Sequence, residues 1–139
     1  MTKRTLWGMP VEIDEAATAQ RYSKQESWGC ECADCQNFIA LAKQKKLPEQ
    51  IHSILNELKI AADKATYVCE IIPKDHGHLY QFSYRITGNI LNEDSENIAK
   101  AEWGDIRCCY EPYPYGAPDF PTPHFDLEFW VTLPWILTE

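Results

Sequence analysis

The alternation that decides the fold lies in residues 79–91, which read LYQFSYRITGNIL. One face of this segment carries large apolar side chains and the other carries polar ones. The apolar members are Tyr80, Phe82, Tyr84, Ile86 and Ile90, and the polar members are Gln81, Ser83, Arg85 and Thr87. Because successive residues of a strand point to opposite faces, the pattern predicts a strand with one buried face and one solvated face.

Three more segments, one before this strand in the sequence and two after it, also alternate between apolar and polar residues. Residues 66–73 (TYVCEIIP) precede it across the turn-forming cluster PKDHGH, so the two segments are predicted to form a β-hairpin. Residues 105–111 (DIRCCYE) and 124–134 (HFDLEFWVTLP) alternate in the same way. Residues 4–13 are expected to be extended but irregular, and residues 92–105 are predicted to be a polar connection.

The first half of the chain has a helical rather than an alternating pattern. Residues 14–25 have helical composition with Asp14 as N-cap, and residues 34–46 are predicted to be a helix capped by Asp34. A third helix is expected to start at Pro48, with apolar residues at helical spacing, namely Ile51, Ile54, Leu55 and Leu58. The last two helices are separated by a short turn, which is typical of an αα-hairpin.

Helices followed by strands indicate an α+β fold. We expect N-terminal helices, including the αα-hairpin, to pack on one face of a roughly four-stranded antiparallel sheet. A chain of 139 residues is most simply a single domain spanning residues 1–139.

The charge of the chain is unevenly distributed. Residues 1–90 hold eleven acidic and eleven basic side chains, whereas residues 91–139 hold ten acidic side chains and only two basic ones. Such an acidic C-terminal half repels nucleic-acid phosphates and favours a basic protein partner. No targeting segment or membrane span is expected, so the predicted location is cytoplasmic, with reduced cysteines.

The candidate site for chemistry is the stretch WGCECADCQNF, residues 28–38. Cys30, Cys32 and Cys35 have C-x-C-x-x-C spacing and would supply three of the four ligands of a zinc knuckle. The fourth ligand is left open among several thiols and imidazoles, namely Cys69, Cys108, Cys109, His76, His78 and His124. The alternative is that the cysteines are reduced and pack as small apolar side chains.

A redox function is the further alternative for the same stretch. Cys32 and Cys35 have C-x-x-C spacing at a predicted helix N-terminus, where the helix dipole favours a thiolate. The neighbouring carboxylates of Glu31 and Asp34 should instead raise the pKa of the thiols. No clear strand leads into the motif, as a thioredoxin-like context would require.

The leading functional hypothesis is a non-enzymatic domain that binds another protein. Motifs of hydrolases and nucleotide-binding proteins are missing from the sequence, so no catalytic residue is assigned. The proline-rich loop, residues 111–123 (EPYPYGAPDFPTP), carries Tyr113 and Tyr115. The last predicted strand, residues 124–134, places Asp126, Glu128 and Trp130 on one face. Aromatic side chains of this kind are common in binding surfaces, so these five residues form the predicted binding surface. The oligomeric state is left open.

Three patches of the sequence also resemble a known family. They are WGCECADCQNF, YVCEIIP and the closing segment LEFWVTLPWIL. Together they are similar to a family of small uncharacterised bacterial proteins with a tryptophan, three close cysteines before a helix, and a final L-P-W segment. The resemblance implies a bacterial or phage-related cytosolic protein and implies no activity.

Overall fold

The computed structural model describes residues 1–92, 97–110 and 119–137. Within these ranges the chain forms three helices and a seven-stranded antiparallel sheet. In chain order the elements are β1 (Thr2–Leu6), β2 (Met9–Ile13), α1 (Glu15–Lys24), α2 (Ala33–Lys43), α3 (Glu49–Glu57), β3 (Tyr67–Lys74), β4 (Gly77–Ile90), β5 (Ile98–Ala101), β6 (Gly104–Cys109) and β7 (His124–Leu133). The α+β class predicted from the sequence is confirmed.

Strand β4 is the centre of the sheet because it pairs with three other strands. On one edge β7 pairs with it from His78↔Leu133 to Thr87↔His124. On the other edge β3 pairs with the first half of β4, and β2 pairs with its last three residues. The main strand order is therefore β1-β2-β4-β7-β6-β5, with β3 pairing only with β4.

The prediction of roughly four strands undercounts the sheet. The predicted strands correspond to β3, β4, β6 and β7, and the structure adds β1, β2 and β5. Trp7 and Gly8 form the two-residue turn of the β1–β2 hairpin, with φ angles of 49° and 84°. Positive φ at both positions is typical of a tight hairpin turn, so Gly8 joins two strands where we expected an irregular segment. The predicted polar connection contains β5, which pairs with β6 from Ile98↔Arg107 to Ala101↔Gly104.

The helices begin close to the predicted positions. Asp14 is the N-cap of α1, since its side chain accepts a hydrogen bond from the Ala17 N–H at 3.0 Å. Helix α2 begins earlier than predicted, because its N-cap is Cys32 and Asp34 lies in its first turn. Helix α3 follows Pro48 directly. In the described part of the chain, none of the helices has the length and hydrophobicity needed to span a bilayer.

The aromatic face of β4 forms the core of the protein. Tyr80, Phe82, Tyr84 and Ile86 are all completely buried. From α2, Phe38 packs against Phe82 with ring centroids 4.9 Å apart, and from β7 Phe129 packs against Phe82 at 5.4 Å. Helix α2 is therefore attached to the sheet through a ring-to-ring contact, and such contacts favour offset and edge-on arrangements.

The opposite face of β4 is polar as predicted, but it is not solvated. Gln81, Ser83, Arg85 and Thr87 are between 1% and 4% exposed, and Asp126 and Glu128 of β7 are 1% and 0% exposed. The prediction that this face is wet is therefore wrong. Alternation of apolar and polar residues reports which side chains share a face, and it does not report whether that face meets water.

Cross-strand ion pairs make this burial possible. Arg85 lies directly opposite Asp126, and its Nε and Nη2 donate to the two carboxylate oxygens at 2.9 and 3.2 Å. Arg107 lies opposite Glu128 and donates to it at 2.8 Å. Glu128 also accepts a hydrogen bond from Gln81 at 3.0 Å. A buried charge is tolerated only when it is paired and hydrogen-bonded, and these contacts supply both conditions.

Removal of one partner of the buried pair should destabilise the protein strongly. We expect Asp126→Ala to lower the free energy of unfolding by about 3 kcal/mol or more, because it removes the carboxylate that pairs with the buried Arg85 guanidinium. Asp105→Ala is the matched control on the same sheet, since the pair of Asp105 with Lys100 is exposed. The control should change stability by less than about 1 kcal/mol. Equal effects in urea unfolding would contradict a buried charge pair.

The connection between α2 and α3 should make stability depend on pH. His52 Nε2 accepts a hydrogen bond from the Leu47 N–H at 3.1 Å, and burial, with a contribution from Lys45, lowers the pKa of His52. The folded state therefore binds fewer protons than the unfolded chain. The stabilising contribution of neutral His52 is present above the pKa of about 6.5 that histidine has in the unfolded chain. It is lost as the pH falls through the lower pKa of His52 in the folded protein.

We accordingly expect the free energy of unfolding to fall between about pH 7.5 and about pH 5, measured with a chelator present. The slope should be smaller in His52→Gln, which removes the titrating group. Identical slopes in the two proteins would show that His52 does not contribute.

Candidate metal centre

The three cysteines predicted as metal ligands lie together at the start of α2. The sulfur atoms of Cys30, Cys32 and Cys35 are all within 4.8 Å of one another, and the sulfurs of Cys30 and Cys32 are 3.3 Å apart. Cys32 is exposed, Cys30 is half-buried and Cys35 is buried. The cluster therefore has one side open to solvent and one side set against the core.

The local sequence explains why the sulfurs converge. As N-cap of α2, Cys32 places its sulfur over the first helical turn, where it accepts a hydrogen bond from the Cys35 N–H at 3.4 Å. This contact has the same spacing as an ordinary N-cap to N3 hydrogen bond. Gln36 donates from its side chain to the Cys30 carbonyl at 3.0 Å, which closes the loop before the helix against its first turn.

Trp28 anchors the loop from its other end. Its indole Nε1 donates to the sulfur of Cys35 at 3.2 Å, and its backbone N–H donates to the Asp63 carbonyl at 2.9 Å. Its ring also meets that of Tyr67 edge-on, with centroids 6.1 Å apart. The cysteine loop is therefore attached to α2, to the segment after α3 and to β3.

The three thiols differ in acidity. The pKa of Cys30 is lowered by the hydrogen bond from the Cys32 backbone N–H and then by the Cys32 thiol, while Glu31 opposes this more weakly. Glu31 thus raises the pKa of Cys30 in the expected direction, but the hydrogen bonds outweigh it. Burial raises the pKa of Cys35, partly offset by the hydrogen bond from Trp28.

A fourth protein ligand does not join the cluster within the part of the chain that the structure describes. The group of convergent ligand atoms contains only the three sulfurs. Among the fourth ligands considered from the sequence, Cys108 and Cys109 lie on β6, and burial raises the pKa of each to about 12. These two thiols are therefore protonated, as expected for cysteines that pack as apolar side chains.

Two of the five residues of the predicted binding surface are buried carboxylates. Asp126 and Glu128 are buried in the ion pairs described above, so neither carboxylate is available to a partner. Trp130 is half-buried, and its indole donates a hydrogen bond to Glu128. Tyr113 and Tyr115 lie outside the described residues.

A second cluster was missed in the sequence. Asp34 of α2, Glu70 of β3 and His78 of β4 bring one potential ligand atom each within 4.8 Å of one another. His78, one of the open candidates for a fourth zinc ligand, is half-buried, and its Nδ1 is 2.8 Å from Glu70 Oε2. The register shift between Glu70 and Ile72 in the β3–β4 pairing is not readable from the sequence pattern.

Comparison of the chain with models of protein families, with curated proteins and with solved structures finds no match.

Native cysteine labelling should separate the thiols by position. Cys32 is exposed, whereas Cys108 is 3% exposed and its pKa is raised to about 12, so little of its reactive thiolate exists near neutral pH. We expect iodoacetamide, with a chelator present, to modify Cys32 in the native protein and Cys108 only after unfolding. Peptide mass spectrometry measures both rates. Comparable rates in the native protein would contradict the burial of Cys108.

Proposed function

We propose that this protein binds a thiophilic metal ion, zinc, through Cys30, Cys32 and Cys35. The observation that supports the proposal is the convergence of the three sulfurs within 4.8 Å at the start of α2. Thiolate sulfur is a ligand that selects zinc and copper(I) over magnesium, calcium and manganese. A compact group of three thiols is therefore suited to a soft or borderline ion.

The spacing of the sulfurs fits the size of a zinc centre. With Zn–S bonds of about 2.3 Å and tetrahedral angles, bound sulfurs are about 3.8 Å apart. The Cys30–Cys32 sulfur separation of 3.3 Å is slightly shorter than this value. All three sulfur–sulfur distances are at most 4.8 Å, which is about 1 Å longer than the spacing in a zinc centre. Small rotations of the side chains would thus bring the three sulfurs onto a common ion without moving α2.

Three protein ligands leave one coordination position. Zinc sites that keep such a position use it for water or for an incoming ligand, whereas closed sites of four protein ligands are structural. Because Cys32 is on the exposed side of the cluster, the remaining position would be accessible from solvent. A metal bound here would also stabilise the first turn of α2, since binding free energy adds to folding free energy.

The two other hypotheses have less support. A binding surface built on Asp126 and Glu128 is disfavoured by the burial of both carboxylates, although a protein partner elsewhere stays a prediction. A redox pair of Cys32 and Cys35 is disfavoured because Cys35 is buried and already accepts a hydrogen bond from Trp28.

Titration with Co²⁺ tests the zinc proposal directly. Cobalt replaces zinc in thiolate sites and gives an intense sulfur-to-cobalt charge-transfer band in the near ultraviolet. We expect one equivalent of Co²⁺ per chain to produce this band and one equivalent of Zn²⁺ to abolish it. Loss of a residue that only supports a metal ligand typically weakens metal binding about 10- to 100-fold. Because Cys32 would be a ligand itself, Cys32→Ser should weaken zinc binding by more than this.

Cys69→Ser is the matched control, because Cys69 is a half-buried thiol on β3 outside the cluster. It should keep the band and the affinity of the parent protein. A parent protein that binds Co²⁺ without a thiolate band, or a Cys32→Ser variant with unchanged zinc affinity, would overturn the proposal.

A further inference from the structure

The cluster of Asp34, Glu70 and His78 presents ligand chemistry different from that of the cysteines. Two carboxylates and one imidazole, each half-buried, come from α2, β3 and β4 respectively. Their ligand atoms lie within 4.8 Å of one another, so a single ion could contact all three after small side-chain rotations. Carboxylate oxygen and imidazole nitrogen together suit divalent ions such as manganese, cobalt and zinc.

The fold positions Asp34 and His78 through contacts outside the cluster. The Tyr80 hydroxyl donates to the Asp34 carbonyl at 2.7 Å, which holds the first turn of α2 over β4. The ring of His78 lies against the indole of Trp135, with centroids 5.0 Å apart. Neighbours that fix the orientation of a ligand are typical of metal sites.

Trp135 is itself held in place by α2. The buried side chain of Asn37 donates to the Pro134 carbonyl at 3.0 Å and accepts from the Ile136 N–H at 2.8 Å. These two hydrogen bonds flank Trp135 and fasten the segment after β7 onto the helix. The indole of Trp135 is thus held beside His78 by contacts within the protein and does not depend on a ligand.

The charges of the cluster favour a cation. Asp34 and Glu70 bring two negative charges close together, and within the described residues Glu70 has an ion pair only with His78. No lysine or arginine of the described ranges lies within 4.0 Å of the Asp34 carboxylate. A protonated His78 could offset one of the two negative charges, whereas a divalent ion could offset both.

We infer that Asp34, Glu70 and His78 form a second metal site, which takes a divalent cation that accepts oxygen and imidazole ligands. This site does not require the thiolate site, although Asp34 and Cys35 are consecutive residues of α2. The ion would replace the direct contact between Glu70 and His78 and would join α2 to the β3–β4 hairpin.

Manganese is the probe that separates the two sites, because Mn²⁺ prefers carboxylate oxygen and binds thiolates weakly. We expect the 139-residue chain to bind one Mn²⁺, measured by the loss of the free-ion signal in electron paramagnetic resonance. Glu70→Gln, which keeps the size of the side chain and removes its charge, should weaken Mn²⁺ binding at least about tenfold. His78→Ala should do the same.

His76→Ala is the matched control, since His76 is an exposed histidine in the turn of the same hairpin. It should bind Mn²⁺ like the parent protein. No Mn²⁺ binding by the parent protein, or equal binding by Glu70→Gln, would overturn the inference.

The Co²⁺ charge-transfer band reports the thiolate site in the same variants. A parent protein with the thiolate band but no Mn²⁺ binding would overturn this inference and leave the zinc proposal standing. Mn²⁺ binding that depends on Glu70, without a thiolate band, would support this inference and overturn the zinc proposal. Loss of the thiolate band in Glu70→Gln, with the fold intact by circular dichroism, would mean one shared centre and would overturn the separate site.

Discussion

The pairing of β4 with β7 is the interaction on which the rest of the structure depends. It runs through ten registered positions and gives both strands one aromatic face and one charged face. On the aromatic face Phe82 and Phe129 contact each other and Phe82 contacts Phe38 of α2. Because α2 is placed by this contact and by the hydrogen bond from Tyr80 to Asp34, the position of the cysteine cluster follows from the register of two distant strands.

The charged face helps to specify that register. A slip of one residue would turn every side chain of β4 to the opposite face. Arg85 would then enter the aromatic core, and Asp126 would lose its counter-charge while staying buried. Buried ion pairs contribute little net stability compared with apolar residues of the same size, but an unpaired buried charge is costly. The Arg85–Asp126 pair, in which both side chains are buried, therefore makes wrong registers unfavourable.

The sequence predicted those features that depend on local period and spacing. Alternation located β4 and β7, and the C-x-C-x-x-C spacing located the convergent sulfurs. What failed depended on contacts between distant segments. The polar face of β4 is buried because its charges are paired across strands, which alternation does not encode. Residues 4–13 contain a hairpin rather than an irregular segment, because Trp7 and Gly8 form its turn and Pro10 lies within β2. The Asp34–Glu70–His78 group requires both the β3 register shift and the docking of α2.

The start of α2 combines a cluster that follows from local sequence spacing with a cluster that depends on contacts between distant segments. Consecutive side chains leave a helix about 100° apart, so Asp34 and Cys35 can serve two clusters on different sides of one turn. Cys35 belongs to a loop fastened by Trp28, and Asp34 belongs to a turn fastened by Tyr80. An ion in either cluster would therefore restrain the same helical turn, which contacts with Cys32, Trp28 and Tyr80 already hold without one.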